Sequence, residues 1–356
     1  MKLIVLLLSI TVAVTVKADE FCVTNSSELV SALNTAATNG QSNHIKISQG
    51  TYLAPSGGFV YQNNQNNDLE ISGNWQTFLN GPCGIQISKS PHQTILNGQH
   101  STRIMQIKTG ALAEIKVSSL TFLNGFTTGA AGALDLNGLN DFAGKASIEN
   151  NVFINNEANF NGAVRVVGNF VVARNNLFVA NHAESGFGAV VAFSEDGYGV
   201  HFTNNTVINN TTNDTGSLAG GMAVAVNGTS QALVANNLAW GNEAYDVVIF
   251  GGGVFYLKHN NMETRLGFAE VDMNNLSITP EFESGFLNFT LVADSPLRNA
   301  GIDPADHFGE TDFDELWELG EYDLEGNSRK QYGAVDIGAV ESTQPPIIFA
   351  SGFETD

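Results

Sequence analysis

Short stretches of alternating apolar and polar residues recur along the chain, each bracketed by asparagine or glycine. Asn-Asn pairs stand at Asn150-Asn151, Asn175-Asn176, Asn204-Asn205, Asn236-Asn237 and Asn260-Asn261, separated by 25, 29, 32 and 24 residues. The first four are followed by Val152-Phe153-Ile154, Leu177-Phe178-Val179, Thr206-Val207-Ile208 and Leu238-Ala239-Trp240, and then by a further asparagine at Asn156, Asn181, Asn210 and Asn242. An earlier copy, Ser118 to Asn124, keeps the spacing with serine in place of the pair. Strand side chains alternate between faces. The pattern therefore predicts that Val152, Ile154 and Asn156 share a face, as do Leu177, Val179 and Asn181. At such a corner a side-chain amide can donate to one neighbouring coil and accept from the other, which satisfies buried polar groups. Asn156, Asn181, Asn210 and Asn242 are thus expected to be structural.

A second strand pattern opens on glycine: Gly132-Ala133-Leu134-Asp135-Leu136, Gly162-Ala163-Val164-Arg165-Val166, Gly188-Ala189-Val190-Val191-Ala192 and Gly221-Met222-Ala223-Val224-Ala225. A turn with positive φ is the expected reason for those glycines. Repeats of this length, without a helical period, describe a solenoid. Neither the leucine spacing of a leucine-rich repeat nor the longer blade of a propeller is present, which leaves an all-β fold, a parallel β-helix. Solenoid ends need caps. Asn25-Ser26-Ser27-Glu28 reads as a capping box opening an amphipathic helix with Leu29, Val30, Leu33 and Ala37 on one stripe, closed by Gly40 and followed by a strand from Ile45 to Tyr52.

Composition narrows the functional classes. The 356 residues include 37 Gly, and 36 acidic side chains stand against 15 basic ones, a net charge of -21. That charge opposes binding to a phosphate backbone, which depends on Lys and Arg displacing counterions. Nucleic acid is therefore excluded as a partner. Lys2, the apolar run from Leu3 to Val16 and the small residues Val16 and Ala18 predict a signal peptide cut after Ala18. No other segment is apolar for long enough to span a bilayer, so the mature chain is expected to be exported and to carry no transmembrane segment. Cys22 and Cys83 are the only cysteines, and an oxidising compartment makes a disulfide between them the expectation.

The chain resembles the right-handed parallel β-helix proteins of the pectin-lyase-like superfamily. The cap helix followed by His44 to Tyr52 looks like that family's first strand, and Asp68 to Trp75 with Thr94-Ile95-Leu96-Asn97-Gly98 is similar to its first coils, with Asn97 where members commonly carry Asp. Further on, Pro280-Glu281-Phe282, Phe289-Thr290-Leu291, Ser295 to Gly301, Asp323 to Arg329 and Val335 to Glu341 resemble, in order, the closing module called the choice-of-anchor Q domain. The resemblance implies a bacterial exported protein. The tail Ile348 to Glu354 is similar to a terminal motif on secreted proteins of some Gram-negative bacteria, with Ser351 where Asp is usual. The implied organisation is a signal peptide over 1–18, an N-terminal cap over 19–44, a right-handed parallel β-helix over 45–279, a closing module over 280–342 and a tail with a sorting motif over 343–356.

Superfamily members include polysaccharide lyases and hydrolases. Their clustered Asp residues, Gly-His-Gly and Arg-Ile-Lys do not occur here as a set. The candidates that remain are few. Asp135 and Arg165 occupy the same place in successive Gly-Ala strands and are expected to touch as an exposed ion pair, with Arg165 a candidate contact for a substrate carboxylate. Glu195, Asp196 and His201 flank Gly197-Tyr198-Gly199 in what reads as a loop, and two such carboxylates suit a glycosidase. His182 shares a corner column with Glu157, Thr211 and Glu243, which reads as a solvated edge. Ten acidic residues and no Lys or Arg lie between Asp303 and Glu325. Among them Asp312, Asp314 and Glu315 are candidate ligands for Ca²⁺, the one cofactor suggested, since that ion takes oxygen ligands. Asp323, Arg329 and Asp336 are expected to form ion pairs fixing the closing module. The reading at this point is a monomeric, non-catalytic protein, secreted or at the cell surface, that binds a polysaccharide or cell-surface glycan on its side face. A lyase or glycosidase with its catalytic residues moved to the loops is the alternative.

Overall fold

The computed structural model describes residues 18–77, 83–138, 144–194, 198–214, 216, 218–285, 287–307 and 317–344. The N-terminal leader and the C-terminal tail of the sequence reading lie outside these, as do Glu195, Asp196, Asp312, Asp314 and Glu315. Among the described residues the chain winds through four stacked sheets of 11, 8, 4 and 8 strands, whose neighbours pair in parallel apart from Leu69–Thr77 with Cys83–Gln86. In a typical coil the chain passes from sheet I (for example Phe170–Arg174) to sheet II (Leu177–Val179), the short sheet III (His182–Ser185) and sheet IV (Val190–Ser194), then starts the next coil at Gly199–Thr203. This is a parallel β-solenoid.

Register between coils stacks like on like. Inside sheet IV, Phe59, Met105, Leu134, Val164, Val190, Met222 and Val247 form one column of paired positions, each 0% exposed. On the inner side of sheet II, Phe122, Phe153 and Phe178 stack with successive centroids 4.9 Å apart. The helix α1 (Ser26–Ala36) closes the N-terminal end, burying Leu29, Ala32, Leu33 and Ala36. Its N-cap Asn25 accepts from the Glu28 amide at 3.0 Å. Glu28 in turn accepts from the amide of Thr24, at 2.7 Å, one residue before the position a standard capping box uses. The disulfide forms between Cys22 and Cys83, Cα atoms 5.1 Å apart, and ties the first strand, Asp19–Val23, to Cys83–Gln86.

Two expectations from the pattern need correction. Val152 and Ile154 do not share a face with Asn156: the inward residue is Phe153, and Val152 packs outside with Leu177, Leu324 and Val340. The reason is the corner. Asn155, Ala180 and Asn209 have φ of 56, 53 and 53°, and one left-handed residue breaks the period of two, so the asparagine after it turns inward. The glycines opening the sheet IV strands are also not positive-φ turns. A Cβ on Gly162 would lie 2.1 Å from the Gly188 carbonyl oxygen and 2.4 Å from that of His182, so close backbone approach between coils excludes a side chain.

Residues 287–302 and 317–344 run along the outside of sheet II and over its border with sheet I, where Ile302 and Trp317 pack on Leu233 and Tyr256. Leu324, Ala339 and Val340 cover Val152, Leu177 and Val179, while Leu291, Leu297 and Ile337 cover Ile208 and Leu238. The first asparagine of three of the pairs clasps this segment. Asn150 donates to the carbonyl of Tyr322 at 3.2 Å, Asn175 to that of Leu319 at 3.0 Å and Asn236 to that of Ile302 at 2.8 Å. Inside it, Arg329 pairs with Glu341 at 3.0 Å and donates to the Asp336 carbonyl at 2.9 Å. The Asp323 and Asp336 carboxylates accept backbone amides, Asp323 from Asn327 and Glu341, Asp336 from Asn299 and Ser342.

Candidate functional site

The sequence candidates do not converge. Asp135 and Arg165 stand opposite each other on the outer face of sheet IV, joined by two bonds of 2.8 and 3.0 Å. Asp135 is 1% exposed, because Arg103, 3.9 Å away, and Gln106, which donates at 3.1 Å, also close over it. The pair is therefore half buried and embedded in a network, a correction to the exposed pair expected. Burial holds the Arg103 guanidinium below its ordinary pKa, with the Asp135 charge opposing that shift. His201 lies on another face: it belongs to a strand of sheet I, 6% exposed, with its ring edge on Phe170 at 4.8 Å. Burial, aided by Arg174 and Lys145, pushes His201 down to about 4, so the ring is neutral at pH 7. His182 sits in sheet III, bonded to Thr211 at 2.8 Å.

Three carboxylates of the acidic stretch are engaged with the protein itself. Asp303 contacts Lys330 at 2.5 Å, Glu318 contacts Arg174 at 3.6 Å and Glu325 contacts His92 at 2.9 Å. Among the described residues no group of three His, Cys, Asp or Glu side chains is placed to hold a metal ion.

A site that the motifs did not point to lies on the outer face of sheet I. Successive strands place His44, Glu70 and Lys116 in one column of paired positions, and Lys46, Ser72, Ser118, Glu149 and Arg174 in the next. Two adjoining grooves of about 450 and 440 Å³ run along these columns and share Glu70, Lys116, Glu149 and Arg174; Glu318 to Tyr322 of the C-terminal segment wall the second. At their junction Glu149 contacts Arg174 at 3.0 Å and Lys116 at 3.3 Å. Burial opposes the charge on Glu149, but Arg174 and Lys116 outweigh it and hold the carboxyl below the usual glutamate range.

Toward the N-terminal end, Lys46 pairs with Glu20 at 2.9 Å and lies 4.5 Å above the centre of the Trp75 ring. Lys145 is placed similarly over Phe170, at 5.7 Å. Four of the chain's 15 basic residues, Lys89, Lys116, Lys145 and Arg174, line these grooves beside seven carboxylates, Glu20, Asp68, Glu70, Glu114, Glu149, Glu318 and Glu321. Every second residue of His44-Ile45-Lys46, Glu70-Ile71-Ser72 and Glu114-Ile115-Lys116 is polar. That alternation is the signal by which the face was legible. Which coils stack to form a groove was not, because that depends on register across insertions of unequal length.

The chain matches no protein-family model, and neither a curated protein nor a solved structure matches it. What the fold itself defines is the class: a parallel β-solenoid with a helical cap and a strapped outer face. Among the described residues no helix is long and apolar enough to cross a membrane.

Proposed function

We propose that this protein is exported to the cell envelope or the medium and binds a polysaccharide or cell-surface glycan along the groove on sheet I. The observation that carries the proposal is the continuous polar surface shared by the two grooves, lined by four of the chain's 15 Lys and Arg side chains and by seven carboxylates. Coils repeat about every 4.8 Å. A linear polymer laid along the solenoid axis thus meets a fresh row of donors and acceptors at each coil, and Lys116, 43% exposed as a side chain, and Lys145 offer charge-assisted contacts to a carboxylate it carries. The disulfide is compatible with an extracellular setting. Likeness of the first coils to the pectin-lyase-like superfamily, and of residues 280–342 to a choice-of-anchor Q domain, supports the same reading.

Titration calorimetry against uronate and neutral oligosaccharides tests it. The expected result is binding of a uronate oligomer that weakens about tenfold or more in the Lys116→Ala, Lys145→Ala double variant, as loss of charge-assisted contacts predicts. Arg165→Ala, on sheet IV, should leave binding unchanged. No binding across the panel, or loss in Arg165→Ala alone, overturns the proposal. Absorbance from unsaturated products in the same incubations reports any lyase activity.

A further inference from the structure

At the N-terminal end of this groove we propose an acyl-transfer site made of Ser72, His44 and Glu70, acting on small O-acyl esters such as sugar acetates. The three side chains project from two adjacent strands, Asn43–Ser48 and Leu69–Thr77, in which His44 is paired with Glu70 and Lys46 with Ser72. His44 Nε2 lies 2.7 Å from Ser72 Oγ, and His44 Nδ1 lies 3.9 Å from Glu70 Oε2. The Trp75 indole, which can only donate, gives its N–H to Ser72 Oγ at 2.9 Å.

Donor accounting fixes the polarity of this chain. Among the described residues the Ser72 hydroxyl contacts just those two groups, and one of them supplies a proton rather than accepting one. His44 Nε2 is therefore the one acceptor this hydroxyl proton can reach, in the tautomer that leaves Nε2 unprotonated. An imidazole accepting at Nε2 carries its own proton on Nδ1, the nitrogen that faces Glu70. This is the order nucleophile, base and orienting carboxylate that activates a serine. Geometry also steadies the base: His44 stands edge-on to Trp75, 5.5 Å between centroids. Burial lowers the His44 pKa, Glu70 opposing, so the ring is in its accepting form at pH 7.

In the acylation step Ser72 Oγ bonds to the ester carbonyl carbon as its proton passes to His44 Nε2. The carbon–oxygen bond to the alcohol then breaks, and the departing alcohol takes that proton. Water attacks the acyl carbon next, giving a proton to Nε2 that returns to Ser72 as the carboxylic acid leaves. Glu70 is 44% and His44 17% exposed as side chains, so the base opens to the groove. Ser72 is only 2% exposed, so a small acyl group has to displace the Trp75 indole to reach Oγ.

The site is tested without any glycan, so its failure is distinct from failure of the binding proposal. The full chain is treated with a small fluorophosphonate and, separately, with p-nitrophenyl acetate. One adduct per chain is expected, and peptide mass mapping of the unmutated protein should place it on Ser72. Acetate release should fall about 100-fold in Ser72→Ala and in His44→Gln, the scale of lost general-base catalysis. Absence of an adduct, or an adduct mapped elsewhere that persists in Ser72→Ala, overturns the assignment. The mapping needs no variant, so it decides the matter even if Ser72→Ala fails to fold.

Discussion

Asn176 Nδ2 donates to Asn205 Oδ1 of the next coil at 3.0 Å, while Asn176 Oδ1 accepts from Asn151 of the coil before at 3.2 Å. The ladder continues through Asn237 and Asn260 to Asn275, and a second one runs from Asn156 through Asn181, Asn210 and Asn242 to Asp246. Each rung also satisfies backbone groups: Asn176 donates to the Ile148 carbonyl at 2.9 Å and accepts from the Asn151 amide at 3.0 Å. Asn176→Ala leaves both groups buried without those partners. It should cost about 3 kcal/mol, as unsatisfied buried groups do, measured by urea denaturation. A loss below about 0.5 kcal/mol, the level of an ordinary surface substitution, would show that the ladder is ornamental.

Gly162→Ala should destabilise by about 1–3 kcal/mol or more, the cost of overpacking. Its Cβ would meet two backbone oxygens at 2.1 and 2.4 Å, atoms that cannot rotate away. Gly252→Ala, where a Cβ meets nothing within 4 Å, is the matched control and should be nearly neutral. Thermal melts of the two variants side by side give the comparison.

Reduction of Cys22 and Cys83 frees a loop spanning 61 positions. The loop-entropy model assigns such a bridge about 4 kcal/mol. Treatment with a thiol reductant under mild denaturant should therefore lower the unfolding midpoint, and the Cys22→Ser, Cys83→Ser variant should show the same midpoint with or without reductant.

Stability should fall as pH rises toward 8. Burial raises the Glu341 carboxyl from an ordinary 4.5 to about 8, with Arg329 pulling the other way. Burial also raises Asp323, which adds to the effect. Between those limits the folded chain binds more protons than the unfolded one, so this contribution is full below about 4.5 and is lost as pH climbs through about 8. Below about pH 6.5 the depressed His201 opposes this slope, so melting temperatures should decline from pH 6.5 to 8.5, and Glu341→Gln should flatten that decline. An unchanged slope in that variant would assign the titration to other groups.

Much of the architecture was legible from particular residues. The Asn-Asn spacing marked the coils, Asn25 to Glu28 marked the cap helix, and the lone pair of cysteines marked the disulfide. The candidate groove was not legible in the same way. His44 and Lys116 are far apart in sequence, and what unites them is the Leu69–Thr77 strand between their own, with an insertion before the next coil that no periodicity counts. Nor did spacing tell Val152 from Phe153, since one left-handed corner residue reverses which of them turns inward.

The sequence by itself determined that this chain coils into stacked parallel strands with asparagine at the corners, because local periodicity and turn chemistry are short-range and survive in a string of letters. Tertiary structure alone decided that in Asn150-Asn151, Asn175-Asn176 and Asn236-Asn237 the second asparagine faces the core and the first clasps the C-terminal segment. It alone brought Ser72 beside His44, and Glu149 between Lys116 and Arg174. Those are contacts between coils, set by register and by the buried columns that lock one turn on the next.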